Sequence, residues 1–502
     1  MEKCPVQHHG MSKARGCSHA RLGSFSKLFK DLNHVPVDLY QAITLGGPGS
    51  PMDDANNDSG DSDTPAGYTF FAQFIDHDIT LDTTTNLTGE AITDPEDIEE
   101  LPNLRSAGLD LDCVYGFGPE ASPYLYQGED APGRLLEGNS VNPNDVPRSE
   151  NGTALIGDPR NDENIFLSQM QLLFIRFHNK VYDQLVTDPK IEPHDRFEKA
   201  QTIVRNHYQY LVVFDFLKRT CDEKIYDFVI NKASSTRAKY PLFYNLDDDG
   251  KQLHKTQLPM PVEFSVAAYR FGHTTVRSKF AVNSNHPDVE LFDERFTTEG
   301  FTRVPEDLVV DWRFLLKVSN CIDPLNTKAY DLKFASELIN LPENVVGAGA
   351  GVAQRSLASR NLLRGNTLAL ASGQDIAREL KRCGYPISTS FSALKLGDVI
   401  NEEKLIIHKS QTFNKHFKPY LTHTPLFFYL MREAGTLGGG KRLGPVGSAL
   451  ILEVLVGGLK QCQSVVLNKS YKPNERITGK KSRKKDEPIF ELADIIRFVE
   501  TC

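Results

Sequence analysis

The chain has 502 residues, 40% of them hydrophobic and 25% charged, with a formal net charge of −9. That length supplies ample material for a buried core, and the acidic balance argues against a nucleic-acid binder or a polybasic membrane-surface protein. No apolar run is long enough to span a bilayer, and Met1 to Ala20 holds no apolar segment of the signal-peptide kind.

The expected compartment is therefore the cytoplasm, or the exterior by a non-classical export route. The eight Cys, at 4, 17, 113, 221, 321, 383, 462 and 502, lack metal-ligand spacing and are expected to be reduced. Residues 1–35 form a mostly polar arm, and the Gly/Pro-rich and acidic stretches from Gly46 to Asp63 are loop by composition.

The next stretch, Thr69 to Asp82, is largely apolar apart from Gln73, Asp76, His77 and Asp78. A helix over 69–79 puts Gln73, Asp76 and His77 at i, i+3 and i+4, on one face. Polar groups among Phe70, Phe71, Phe74 and Ile75 need partners. These are either the neighbouring acids, in a paired core His, or a bound ligand. From Thr83 to about 150 the chain is rich in Gly, Pro, Asp and Asn without a helical period, so it is functional or packed by its own side chains. Inside it, Ser106, Asp110 and Asp112 with the Gly108 carbonyl offer alternating hard oxygens of the kind Ca²⁺ takes, although such loops are also commonly just solvated or capping.

Gly157-Asp-Pro-Arg-Asn-Asp-Glu-Asn164 reads as a helix start, with Asp158 as cap, Pro159 at the first position and acids in the first turns. The helix is expected to run to about Val186, with Arg160 and Glu163 sharing a face at its beginning. A helix over Arg196–Arg219 follows, then a loop trailing from Phe228. Pro261 opens a predicted helix over Val262–His273, with Arg270 and His273 on one face and Gly272 permitting close approach beside the His. Further helices are expected around Asp307–Val318, Arg355–Leu363, Gly373–Cys383, Thr424–Ala434 and Ser448–Leu459. The basic run 479–487 reads as an exposed linker. The fold class is mainly α, with few short strands and long loops.

Three of these stretches, in this order, resemble the animal-type haem peroxidase superfamily, which includes myeloperoxidase, peroxinectin and the cyclooxygenases. Gln73-Phe-Ile-Asp-His-Asp78 is similar to its distal-helix motif, Gly157-Asp-Pro-Arg-Asn-Asp-Glu163 to its catalytic-arginine motif, and Ala268-Tyr-Arg-Phe-Gly-His-Thr274 to its proximal-histidine motif. The similarity runs from about Leu22 to Leu459 and is closest to bacterial members without a signal peptide. It implies a haem peroxidase domain over 36–470, with the basic linker and a C-terminal helix in 471–502.

The resemblance implies haem b with His273 as axial ligand, Arg270 near a propionate and Gln374 at the position whose usual Asn holds the proximal His. Ala369 and Ala371 stand where Gly and Pro are usual. His77 becomes the proton-transfer base, Arg160 the stabiliser of developing charge, and Gln73 a neighbour holding halide or water. Asp76 and Glu163 match the carboxylates that form ester bonds to haem methyls. Asn164 replaces the Met of the third link, so no sulfonium bond is expected. The Ca²⁺ set becomes Asp78, Ser106, Gly108, Asp110 and Asp112, the last where Ser is usual.

The implied activity is reduction of H₂O₂ through a ferryl state with oxidation of halide, thiocyanate or small phenols, in a setting of oxidative stress. Two alternatives remain. A fatty-acid dioxygenase of the cyclooxygenase branch needs a Tyr three residues before the proximal His, where this chain has Arg270, and Tyr269 lies about 100° further round a helix. A non-catalytic haem-binding or adhesion protein would have no need of Arg160.

Overall fold

The structure, a computed structural model, describes residues 23–55, 59–83, 90–128, 131–247, 250–254, 258–293, 301–387, 416–479 and 490–500. Helices carry the core, and the strands among these residues are two to five residues long. Gly23–Ser26 pairs antiparallel with Pro102–Asn103 and parallel with Met260–Pro261. From Gly23 onward the expected polar arm is thus part of the body: Phe25 and Phe29 are buried, and the amides of Leu28 and Phe29 donate to the buried carboxylate of Glu263.

Helix α1 (Gly67–Ile79) lies at the centre, with every residue but Gln73 buried. Its Phe70 stacks on Phe166 (4.4 Å between centroids) and its Phe74 on Phe174 (4.7 Å), which packs it against α2 (Ile165–Val186). A helix apolar on nearly all sides is stable only when surrounded. At its end the Asn103 amide donates to the Ile79 carbonyl and its Oδ1 accepts from the Leu81 amide, closing the last turn where the chain turns extended. So the long Gly/Asn-rich stretch supplies, through Asn103, the partner that closes the end of α1.

The start at Gly157 differs from expectation. It contains two cap-type residues: Asp158 accepts from the Arg160 amide and opens a 3₁₀ turn (Pro159–Asp162), and extended Asn164 accepts from the Leu167 amide and opens α2. The second cap begins the long helix, leaving Arg160 and Glu163 on a separate turn. α3 (Arg196–Leu211) continues through a π-helical segment, Val212–Phe216. The region trailing from Phe228 is helical over Glu223–Ala233, and the helix expected at 307–318 is only two 3₁₀ turns.

The predicted helix over 262–273 breaks. Val262–Ser265 is α-helical, Ala267 leaves the helical region (φ −130, ψ −69), and Ala268–His273 is 3₁₀. The Arg270 Nε donates to the Ser265 carbonyl freed by the break. Because a 3₁₀ helix has three residues per turn, Arg270 and His273 are eclipsed, so they share a face by a different geometry.

Four helices complete the frame relevant here: α4 (Leu357–Thr367), α5 (Gly373–Arg382), α6 (Leu426–Thr436) and α7 (Pro445–Gln461). The C-terminal helix α8 (Leu492–Glu500) packs on α2 rather than standing apart. The Leu492 amide donates to buried Asp215, and Arg219 bridges Asp215 and Glu491. Most of the basic run (480–487) lies outside the described residues. Cys462 is disulfide-bonded, against the expectation of a fully reduced set, whereas Cys113, Cys221, Cys321 and Cys383 are free. No helix among the described residues is long and apolar enough to cross a membrane.

Candidate active site

Helix α1 presents Gln73, Asp76 and His77 on one side and Asp78 on another. The His77 Nδ1 lies 2.8 Å from the Asn161 Oδ1. The Asn161 amide nitrogen is committed to the Gln171 Oε1 (2.8 Å), whose own amide donates to the Cys113 carbonyl. This chain fixes the Asn161 amide with its oxygen toward the imidazole, so Nδ1 carries the proton and Nε2 the lone pair. Burial, then the charge of Arg160, lowers the His77 pKa to about 4, and the ring is a free base at neutral pH.

Arg160 is held from behind. Its Nε and Nη2 reach the two oxygens of Asp158 (3.1 and 2.7 Å), and Nη2 also donates to the His77 carbonyl (3.0 Å). Nη1 makes no hydrogen bond among the described residues. Asp158 is fully buried. Burial pushes its carboxyl up, but the hydrogen bond and charge of Arg160 and the charge of Arg105 outweigh this and hold it below its usual range. The Gln73 amide donates to Glu163, and Asn164 Nδ2 lies 3.4 Å from the Gln73 Oε1. Burial raises Glu163 to about 7, against the opposing charge of Arg160. Asp76 accepts from the Thr80 hydroxyl (3.1 Å) and stands 3.6 Å from Arg270 Nη1, which joins α1 to the 3₁₀ segment bearing His273.

On that second side the expected partner is corrected. His273 Nδ1 is 3.0 Å from the Asn361 side-chain amide on α4, not from Gln374. Gln374 is buried at the start of α5, where its amide donates to the Thr424 hydroxyl and its oxygen accepts from the Thr424 amide. It ties α5 to the segment leading into α6. With Nε2 as a metal ligand, Nδ1 must carry the proton and Asn361 must present its oxygen, an amide orientation of identical shape.

Helix α4 also brings Arg360 and Arg364 toward Arg270. Burial, then mutual repulsion with Arg270, lowers Arg360; Arg364 is lowered by burial despite its pairing with Asp82 at 2.9 Å. Asn361, Arg360 and Arg364 were missed from the sequence. The available signal was an Asn, a poor helix former, inside the helix predicted over Arg355–Leu363 and set between Arg360 and Arg364 at helical spacing.

Asp78 faces the loop after Asn103. Carboxylate oxygens of Asp78, Asp110 and Asp112 lie within 4.8 Å of one another. The Asp78 Oδ1 and Asp110 Oδ1 are buried without any hydrogen-bond partner. Burial, then the charge of Asp110, raises Asp78 to about 7, and burial also raises Asp110 and Asp112. Ser106 is buried on the same loop, its Oγ accepting from the Gly108 amide (3.2 Å). Leu109 and Leu111 hold left-handed backbone (φ 51 and 63), a strained conformation for branched side chains. Three carboxylates this close, those of Asp78 and Asp110 buried and that of Asp112 partly so, demand protons or a cation.

The acidic loop and the Arg160 turn touch directly. A Cβ at Gly157 would stand 2.5 Å from the Asp112 carbonyl and 2.6 Å from that of Cys113. Gly157→Ala is expected to cost about 1–3 kcal/mol through this overpacking, read as a shift in the denaturation midpoint.

The model of the animal haem peroxidase family matches residues 91–453, which begins after α1. A peroxidase-like protein of Margaritifera margaritifera is 31% identical over 189 residues, 35% of this chain. The matched segment spans only 22% of that relative's length. Among solved structures, peroxidase A of Dictyostelium discoideum superposes with a TM-score of 0.56 at 15% identity, over 91% of this chain and 93% of that one. The fatty acid alpha-dioxygenase of Arabidopsis thaliana superposes with 0.58 at 15% identity, over 95% and 76%. At such identities the superpositions speak for the fold, and the family match for descent: the chain belongs to the animal haem peroxidase family.

Proposed function

We propose that this chain is a haem peroxidase that reduces H₂O₂ and oxidises halide, thiocyanate or small phenolic donors. The observation that carries the reading is the pairing of a neutral, tautomer-fixed His77 with an Arg160 anchored so that one nitrogen remains free. A protein that only stored haem would not need this arrangement.

The residues present fit haem. A Cβ at Gly272, beside His273, would meet nothing within 4 Å. Gln73, Arg160, Glu163, Arg270 and His273 are all half-buried, although Glu163 and His273 lie deep enough for burial to move their pKa. Arg270, Arg360 and Arg364 gather half-buried positive charge suited to two propionates. His273 would ligate the iron, steadied by Asn361. Asp76 and Glu163 would be available for ester links to the ring.

Haem, when bound, supplies the iron at which peroxide is held and its O–O bond broken. His77 Nε2 takes the proton from the bound peroxide and returns it to the departing oxygen, which leaves as water. Arg160 stabilises the negative charge developing on that oxygen, and Gln73 orients a halide or water beside His77.

The acidic cluster fits Ca²⁺, with Asp78, Asp110 and Asp112 as charged ligands and Ser106 and the Gly108 carbonyl completing the set. The ion would tie the loop to α1 beside His77. At Ca²⁺ one hundred times its dissociation constant, stabilisation of about 2.7 kcal/mol is expected. Calorimetry with Ca²⁺ and with EDTA reads this as a rise in Tm that is absent in Asp110→Ala.

The dioxygenase reading draws on the superposition with the alpha-dioxygenase. Against it, Arg270 and not Tyr stands one 3₁₀ turn before His273, and Tyr269 is buried in a stack on Phe264 (4.9 Å). Haem-loaded protein given H₂O₂ with iodide, bromide or a phenol should turn over, and given a fatty acid and O₂ without peroxide should not consume oxygen. Oxygen uptake with the fatty acid would select the dioxygenase, and a Soret band without turnover on either would select a binding protein.

A further inference from the structure

Between the acidic cluster and Arg160 stands a largely buried cation. Arg105, 12% exposed, is shared: Nη1 lies 3.3 Å from the Asp112 Oδ1, and Nη2 lies 2.6 Å from the Asp158 Oδ2. The same Asp158 oxygen is 2.7 Å from Arg160 Nη2. Arg105 Nη2 also donates to the Gly157 carbonyl (3.2 Å), and its Nε is buried with no partner. Asp112, Arg105, Asp158 and Arg160 thus alternate in sign along an unbroken line of contacts from the cluster to the guanidinium that faces peroxide. Asp112 stands where the resemblance puts Ser, and a hydroxyl there would offer Arg105 no charge. This line therefore depends on the carboxylate of Asp112.

We infer that Arg105 is a positioning residue through which occupancy of the cation cluster sets how firmly Asp158 holds Arg160, and hence how strongly the pocket receives an anion. The inference rests on the reading of the cluster as a Ca²⁺ site and of Arg160 as a group facing the bound ligand. A cation among Asp78, Asp110 and Asp112 draws the Asp112 charge to itself. Arg105 is then released toward Asp158, and Asp158 draws less on Arg160, whose free nitrogens turn to the pocket. The positive charge of the ion acts in the same direction. Ca²⁺ should therefore strengthen anion binding, and linkage requires the anion to strengthen Ca²⁺ binding by the same factor. A second route runs along α1, because Asp78 follows His77, whose carbonyl Arg160 also touches. The test must separate the two.

The probe is fluoride, titrated spectrophotometrically into the ferric haem-loaded full chain with Ca²⁺ or with EDTA, paired with calorimetric Ca²⁺ titration with and without saturating fluoride. In wild type the two factors should agree, at about 5-fold or more. In Arg105→Gln both ligands should still bind, with the coupling reduced to the small part that the charge of the ion supplies directly. Asp112→Ser, which takes the carboxylate away from Arg105 but leaves the Arg105–Asp158 contact intact, should bind Ca²⁺ more weakly and lose the coupling in the same way, and serves if the first variant is unstable. Binding of both ligands without coupling in wild type, or coupling that keeps its wild-type size in Arg105→Gln or Asp112→Ser, overturns the inference and leaves the function above standing. Failure of wild type to bind Ca²⁺ overturns the inference and the cation-site reading together; failure to take up haem overturns the inference and the peroxidase reading.

Discussion

Replacing His77 by Ala is expected to leave haem uptake intact and to slow the reaction with H₂O₂ by about 10²–10⁴-fold, the usual worth of a positioned proton-transfer group. The size of the effect follows from how much of the surroundings serves this one ring. Asn161, Gln171 and the Cys113 carbonyl fix its tautomer, and burial with Arg160 keeps it neutral. Asn161→Leu should therefore reproduce part of the loss without touching the base itself. Stopped-flow absorption with one equivalent of peroxide separates the outcomes. Glu163 is the competing base, since burial brings its carboxyl to about 7 within reach of Gln73 and Arg160. If His77→Ala reacts at the wild-type rate while Glu163→Gln is slow, the base is Glu163 and the assignment is wrong.

How far the sequence led depends on whether an arrangement is local. The face shared by Gln73, Asp76 and His77 follows from helical period alone and is present in α1. Asp78 and the 106–112 loop were paired through the resemblance, and their carboxylates do converge. What was not legible comes from partners distant in sequence. Asn361 meets His273 across 88 residues and Arg105 meets Asp158 across 53, and no period or spacing connects them. The break at Ala267 was hidden for another reason: an apolar run with helical period does not reveal a switch to 3₁₀, because the stabilising contact is the Arg270 side chain on the Ser265 carbonyl. Gln374 was misassigned because position relative to a motif stood in for geometry. Its burial is real, but it serves Thr424.

That misassignment makes the second large effect a comparison of three variants. His273→Ala should strip the protein of retained haem, since no other described His stands near Arg270 on that turn to replace the ligand. Asn361→Leu removes the hydrogen bond that orients the ring and should weaken haem retention about 10–100-fold, as loss of an orienting partner does for metal-bound imidazoles. Gln374→Leu should leave haem affinity near wild type and instead lower stability by about 1–3 kcal/mol, because it strands the buried Thr424 amide. Haem transfer to apomyoglobin measures retention, and urea denaturation of the haem-free protein measures stability. The crossed pattern is what matters: Asn361 acts on haem and Gln374 on the fold. The reverse pattern would mean that α5, not α4, steadies the proximal His once haem is bound, and that the side chain of Asn361 turns away when His273 takes its ligand.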